Sequence, residues 1–205
     1  PQVGHWSVGA GPDVEEMTTD GGEPQPEGQP EPLAVLGAGV VVYGAMVIAA
    51  LGWLWLRGRV DALGDAAIGD HGPVAGSAAG LVVGLAGAAL LDRAVRRDRH
   101  FAELTSAAQR MFATAGAGTG VAFAVLSAFA EELFFRLAVQ DVFGLLGSVA
   151  SYVLLNSAVG GSRWLTFTLL HALTMGLLVQ CGFGLLGSTS AHAVLNYLCL
   201  RKLQN

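Results

Sequence analysis

Charged residues are scarce in this sequence: 13% of its 205 residues are charged, and 53% are hydrophobic. An ordinary soluble domain carries about 25% charged residues, so this composition excludes that class and favours an integral membrane protein. Basic patches with interleaved aromatic residues are missing, which argues against nucleic acid as a partner. Phosphate-cradling glycine motifs are missing too, since the many glycines lie inside apolar runs. We therefore expect the lipid bilayer to surround this chain.

Cysteine occurs only twice, at Cys181 and Cys199, without the CxxC or Cys/His spacing of a metal or redox site. That pattern excludes cysteine-based metal or redox chemistry. Both residues lie in apolar surroundings, so we expect two buried structural thiols.

Basic residues are missing from residues 1–32, which carry seven acidic side chains and are rich in Pro, Gly and Glu. This segment has little to bury, so the sequence predicts a disordered acidic tail. The remaining residues carry a net charge of about +2, although the whole chain sums to -5. Because the chain opens at Pro1 and Met17 is a more natural start, residues 1–16 are interpreted as an upstream extension.

Long uncharged runs define the predicted membrane spans, because a bilayer core needs about 20 apolar residues per helix. These runs are Leu33–Leu56, Pro73–Leu91, Met111–Ala130, Val142–Ser162 and Trp164–Leu200. The last run is long enough for two passes that turn near residues 181–184. The sequence therefore predicts an all-α, polytopic bundle of about six transmembrane helices over residues 33–205. Val142–Ser162 is interrupted by Gly160 and Gly161, so a partly re-entrant segment, or one continuous with the next helix, is the alternative there.

No basic region precedes Leu33–Leu56, and its 24 residues exceed a signal-peptide core, so we expect a retained first span. Cytoplasmic loops collect Lys and Arg, which predicts that both termini face the cytoplasm. The residues then placed inside are Arg93, Arg96, Arg97, Arg99, Arg110, Arg163, Arg201 and Lys202, against Arg57 and Arg59 outside. The expected location is the inner membrane of a bacterium.

Three glycines, Gly76, Gly80 and Gly84, recur at every fourth residue of the second run. Small residues at this spacing let two helix backbones approach closely in a membrane. The stripe therefore predicts helix packing rather than a ligand site.

Three ionisable residues, Glu131, Glu132 and Arg136, follow the uncharged run that ends at Ala130. An ionisable group inside a membrane helix is paired, faces water or has a function. Glu132 and Arg136 are four residues apart and share a helix face, which predicts a structural ion pair. Glu131 points about 100° away and has no local partner, which suits a general base in an interior cavity. The alternative is that all three residues cap a helix at the membrane surface.

Two later segments add histidines: Phe167 and His171 are four residues apart, and so are His192 and Asn196. Counting about 1.5 Å per residue from the presumed outer helix ends places Glu131, His171 and His192 roughly 10 to 14 Å deep. An acid and two imidazoles from three helices are therefore expected in one layer. Ser127 lies four residues before Glu131, but we expect its hydroxyl to bond its own backbone.

The ordered set Glu131-Glu132-x-x-x-Arg136, Phe167-x-x-x-His171 and His192-x-x-x-Asn196 resembles the three motifs of the CPBP family of intramembrane endopeptidases, the CAAX-protease and bacteriocin-processing group also called ABI. The resemblance covers roughly residues 111–200. Two features depart from the family pattern: the short interval of 21 positions from His171 to His192, and Leu137 in place of a common glycine.

The resemblance implies a role for each motif residue. Glu131 would activate a water for attack on a peptide carbonyl, and His171 would position and polarise that water. His192 and Asn196 would stabilise the oxyanion, Glu132 and Arg136 would hold the site together, and Phe167 would pack beside His171. A carboxylate and two histidines also form a zinc-binding set, Glu131, His171 and His192. We favour the metal-free alternative because the sequence has no HExxH motif.

The predicted function is hydrolysis of a peptide bond in or near a membrane-anchored segment, with removal of C-terminal sorting anchors from exported proteins as the favoured role. Cleavage of prenylated CAAX-type peptides and peptide maturation are alternatives within the same class. A non-catalytic membrane protein, such as a bacteriocin immunity factor or a scaffold, is the alternative from another class. A small transporter is a third interpretation, without an inverted repeat to support it.

Overall fold

A computed structural model describes residues 32–99, 101–103, 106, 117–157 and 162–201. Every regular element within these residues is helical, which confirms the predicted all-α class for this part of the chain. The elements used below are α1 (Pro32–Leu56), α2 (Ala62–Ile68), α3 (Gly72–Arg97), α4 (Ala117–Glu132), a first π-helical segment (Leu133–Val139), α5 (Gln140–Asn156), α6 (Ser162–Leu178), a second π-helical segment (Val179–Phe183) and α7 (Gly184–Arg201).

Three helical stretches are long and apolar enough to cross a membrane: Leu36–Leu56, Gly72–Arg97 and the continuous stretch Ser162–Arg201. They indicate a membrane protein, in agreement with the composition. The number of six spans stays a prediction, because only these three stretches of the described residues have the length and hydropathy of a span, and α5 is interrupted by a non-helical Gly144 with a φ of 68°. The predicted acidic tail, except for Pro32, and the start of the Met111–Ala130 run lie outside the described residues.

The stretch Ser162–Arg201 reverses direction where the sequence predicts a turn. Gly182 and Gly184 both have positive φ, at 82° and 63°, and α6 and α7 pack against each other on either side of them. Glycine adopts this left-handed region without the steric penalty of a Cβ. Cys181 is exposed at this turn, so the expectation of a buried thiol there is wrong, whereas Cys199 is half-buried in a hydrophobic cluster.

The glycine stripe of α3 packs directly on α7, as its spacing predicts. A Cβ on Gly76 would lie 2.6 Å from the carbonyl oxygen of Phe183, and one on Gly84 would lie 2.6 Å from that of Ala191. The two backbones are therefore close enough to exclude any side chain on the stripe. This contact fixes α7, and with it His192, relative to α3.

Two ion pairs join helix ends on opposite sides of the bundle. Arg59, after α1, bonds Asp141 at the start of α5, and Arg163, at the start of α6, bonds Asp98 after α3. Since α3 runs from the first end to the second, the basic residues near its C-terminus lie opposite Arg57 and Arg59. The separation agrees with the charge bias on which the predicted orientation depends; the orientation itself stays a prediction.

Candidate functional site

The predicted Glu132–Arg136 pair is present at the end of α4. Both side chains are fully buried, and Arg136 donates from Nε to Oε2 of Glu132 over 3.0 Å. Arg136 also donates from Nη1 to the hydroxyl of Ser148 over 2.9 Å, and Ser148 donates in turn to the carbonyl of Phe135 over 2.8 Å. The guanidinium carbon lies 5.9 Å from the centre of the Tyr152 ring. The pair therefore ties α4 and its π-helical continuation to α5.

Glu132 also anchors the first ring of the site, that of His192. Nδ1 of His192 lies 2.9 Å from Oε1 of Glu132, so both carboxylate oxygens of Glu132 have partners. A carboxylate only accepts hydrogen bonds, so Nδ1 carries the hydrogen and Nε2 of the neutral ring is an acceptor. This contact joins α4 to α7 and fixes the orientation of the imidazole.

Glu131 occupies a different environment from its neighbour. Its side chain is 17% exposed, and Oε2 lies 3.9 Å from Nε2 of His192, which is too long for a direct hydrogen bond. The hydroxyls of Tyr43, on α1, and Tyr152, on α5, lie near its carboxylate and can donate to it. Four elements therefore meet at Glu131, and this carboxylate keeps access to small polar molecules.

His171 completes the layer that the sequence predicts. Its ring centre lies 4.4 Å from that of His192 with the planes at 70°, and Phe167 stacks on it at 6.3 Å. The side chain is 8% exposed, and Nε2 has no hydrogen-bond partner among the described residues. A buried polar atom without a partner is destabilising, so one in a native fold calls for an explanation.

Asn196 lies on the same face of α7 as His192 but bonds elsewhere. Its Nδ2 donates to the hydroxyl of Ser127 over 3.1 Å, which uses one of its two amide hydrogens within the protein. Ser127 in turn donates to the carbonyl of Ala124 over 3.2 Å, the backbone bond that the sequence predicts. Asn196 therefore joins α7 to α4 at a level one helical turn away from Glu131 and His192.

Sequence reasoning missed four contributors: Tyr43, Tyr152, Ser148 and the role of Ser127 as the partner of Asn196. Ser148 and Tyr152 are four residues apart, so they were detectable as polar residues on one face of an apolar run. Tyr43 gave no such signal, because only the packing of α1 on α4 brings it to Glu131.

A buried group of Glu132, His171 and His192 could hold a metal ion, since one ligand atom of each lies within 4.8 Å of the others. The zinc set predicted from the sequence used Glu131; the carboxylate that groups with both rings is Glu132. Carboxylate and imidazole are suitable zinc ligands. The donor set fits only in part, because Glu132 already accepts from Arg136, and a cation there would face a buried guanidinium.

A cavity of about 440 Å³ lies between α3 and α6, and the ring of His171 forms part of its wall. Most of its lining is aliphatic or aromatic, including Leu91, Phe167 and Leu195. Glu131, Glu132 and His192 do not line it. His171 therefore contacts the polar cluster and the apolar cavity together.

No family model, no curated protein and no solved structure matches this chain. The resemblance of its three motifs to the CPBP endopeptidases stays a prediction. The case for a function therefore depends on the geometry of the site.

Proposed function

We propose that the chain is an intramembrane endopeptidase that hydrolyses a peptide bond with a water activated by Glu131. One observation carries the proposal: Oε2 of Glu131 and Nε2 of His192 lie 3.9 Å apart inside an apolar helix bundle. A single water can contact both atoms across such a gap. A structural ion pair would close to hydrogen-bonding distance, as Glu132 and Arg136 do.

The proposed reaction starts with proton transfer from this water to Glu131 while the water oxygen attacks the carbonyl carbon of the substrate. Nε2 of His192 accepts a hydrogen bond from the other O–H of the water and so orients the water molecule. The carbon–nitrogen bond then breaks, and the proton held by Glu131 passes to the leaving amine. Tyr43 and Tyr152 hold the carboxylate of Glu131 in position through their hydroxyl groups.

The two histidines exchange their sequence-predicted roles in this proposal. Nδ1 of His192 is committed to Glu132, so its remaining nitrogen suits the water rather than an oxyanion. His171, whose Nε2 has no described partner, suits stabilisation of the oxyanion. Asn196 then acts on the site through Ser127 or with its second amide hydrogen.

The motif resemblance and the charge bias supply the finer parts of the proposal. The resemblance favours a membrane-anchored protein or peptide as substrate and the bacterial inner membrane as the location. The charge bias places the site nearer the non-cytoplasmic face with both termini inside, which suits removal of a C-terminal sorting anchor. Prenylated-peptide cleavage is the other substrate class that the resemblance offers.

A non-catalytic scaffold is the second candidate, and the network around Glu132 favours it. Glu132 bonds Arg136 and His192, and Arg136 bonds Ser148, so three elements are locked by groups that are fully buried. Interhelical polar contacts in membranes contribute about 0.6 to 2 kcal/mol each. A scaffold would need this network and would not need a reactive Glu131.

The test compares peptide termini in membranes of cells that express the wild-type chain or Glu131→Gln. Loss of a general base lowers rates by about 10²- to 10⁴-fold, so cut products should almost vanish while the amount of inserted protein stays the same. Glu103→Gln is the matched control, because Glu103 is exposed and forms a surface ion pair with Arg99. Equal products from the wild type and Glu131→Gln would exclude the protease and leave the scaffold.

A further inference from the structure

The cavity beside His171 is a groove whose walls are α3 and α6. Its lining runs from Val83 to Ala94 along α3 and from Arg163 to Met175 along α6. Eleven or twelve helical steps of about 1.5 Å span about 16 to 18 Å, so the groove extends from the bundle end near Arg163 toward its middle. Leu90 and Leu170 at the groove are 68% and 58% exposed, so it opens on the outer surface of the bundle.

The groove offers apolar surface and one polar group. The hydroxyls of Thr166 and Thr174 bond the backbone carbonyls of Ser162 and Leu170, over 3.1 and 2.7 Å, and so are not available to an occupant. Arg163 bonds Asp98, which removes the attraction of a free cation for an anionic head group. Among the described residues, what remains is the imidazole of His171, which lines the groove and is more than nine-tenths buried.

These features decide between kinds of occupant. A lipid acyl chain matches the apolar walls but brings no hydrogen-bonding group to the depth of His171. An apolar peptide segment matches the walls with its side chains and carries a backbone carbonyl at every residue. The missing side chain at Gly87 leaves room for its close approach.

We propose that the groove between α3 and α6 binds an apolar peptide segment of the membrane substrate, which enters sideways and presents large aliphatic side chains next to the bond that is cut. The inference rests on the proposed function and names its substrate class. It assigns the selection of substrates to α3, which lies outside the three motifs.

Gly87 is the position from which to fill the groove. Gly87 lines the cavity, and a Cβ there would lie 3.7 Å from Cδ1 of Leu195, an ordinary contact, so we expect a larger side chain to extend into the cavity. Gly84 does not serve, because its Cβ would lie 2.6 Å from the backbone oxygen of Ala191. Gly52→Leu on α1 is the matched control, since nothing lies within 4 Å of a Cβ there.

The first experiment measures binding without turnover, in the full-length Glu131→Gln protein reconstituted in phosphatidylcholine vesicles. The probe is a synthetic Leu/Ala transmembrane peptide with a photoreactive leucine at its centre. Crosslinks should fall on α3 and α6, and adding Gly87→Leu should lower their yield at least about 10-fold, while Gly52→Leu leaves it unchanged. Crosslinks elsewhere, an unchanged yield with Gly87→Leu, or labelling by photoreactive phosphatidylcholine that the peptide does not displace would overturn the inference.

The second experiment separates this inference from the proposed function. Wild-type protein and Gly87→Leu are given peptides with Leu, Ala or Ser at the central position, and products are measured by mass spectrometry. Wild type should prefer Leu over Ala at least about 10-fold, and Gly87→Leu should lose that preference. Crosslinking without cleavage by wild type would reject the protease and retain the groove as a peptide site. Cleavage with the same preference in both proteins would reject the groove and retain the protease.

Discussion

Two sides of one polar cluster differ in how completely their carboxylates are paired. On the locked side, Glu132 has partners on both oxygens, and these contacts join α4, α5 and α7. On the open side, Glu131 stops 3.9 Å from His192, and Nε2 of His171 has no partner among the described residues. The acids are adjacent in sequence, so their helix register alone separates the two environments.

The difference separates stabilising groups from groups that are available for chemistry. A buried ion pair with further hydrogen bonds fixes geometry, and removing one member leaves an uncompensated charge. An unpaired buried group lowers stability. A fold keeps such a group where it contacts a ligand or substrate. In the proposed mechanism the locked side therefore holds His192 still, and the open side is the one expected to meet the substrate.

The largest effect is expected from breaking the locked side. Glu132→Leu leaves Arg136 buried without its counter-ion and should lower the free energy of unfolding by about 3–5 kcal/mol. Unfolding in mixed detergent micelles measures the loss. The double variant Glu132→Leu with Arg136→Met should recover much of it, because no buried charge remains. A double variant as unstable as Glu132→Leu would show that the unpaired charge of Arg136 is not the cause of the lost stability.

The open side should respond in the opposite way. His171→Phe keeps a ring against Phe167 and His192 but removes the unpartnered nitrogen. We expect peptide cleavage to fall by about 10²- to 10³-fold, and the free energy of unfolding to rise by about 1 kcal/mol, since a buried unsatisfied group is removed. His192→Phe is the control, because it should lose stability together with activity. A destabilised His171→Phe would place His171 on the locked side.

Local spacing was sufficient to predict the parts of the molecule that lie on one helix. The Glu132–Arg136 pair follows from an interval of four residues. The stripe of Gly76, Gly80 and Gly84 predicts close packing of α3 on another helix, although not that this helix is α7. The reversal near Gly182 was also predictable, because the uncharged run Trp164–Leu200 is long enough for two membrane passes, and two passes require a turn between them. In each case the determining atoms are near neighbours along the chain.

Contacts between helices were not predictable in the same way. The depth count brought Glu131, His171 and His192 into one layer, but it assigned no acid to either ring. Which acid meets Nδ1 of His192 depends on the rotation of α4 against α7, and the sequence alone does not specify that angle. The π-helical segment Leu133–Val139 adds to the difficulty, because it shifts the register that an ideal helix would give to the residues after Glu132.

The packing contact between α3 and α7 tests whether the site depends on distant support. Gly80→Leu would place side-chain atoms against the backbone of Gly187 and Ala191. Overpacking of this kind lowers the free energy of unfolding by about 1–3 kcal/mol, and displacement of α7 should also lower cleavage through His192. Gly44→Leu on α1, with nothing within 4 Å of its Cβ, is the neutral comparison. Full stability in Gly80→Leu would show that α7 is held mainly by the polar cluster.

The smallest effect is expected at the hydrogen bond from Asn196, on α7, to Ser127, on α4. This bond lies outside both sides of the cluster. Ser127→Ala removes the acceptor, and an interhelical hydrogen bond in a membrane contributes about 0.6 kcal/mol, so the free energy of unfolding should fall by about that amount. Asn196→Leu should cause a similar loss of stability. If Asn196 also donates its second amide hydrogen to the oxyanion, Asn196→Leu should lower cleavage by about 10²- to 10³-fold while Ser127→Ala changes it little. Equal rates in the two variants would place Asn196 with the locked side, because its only measurable contribution would then be the contact that it shares with Ser127.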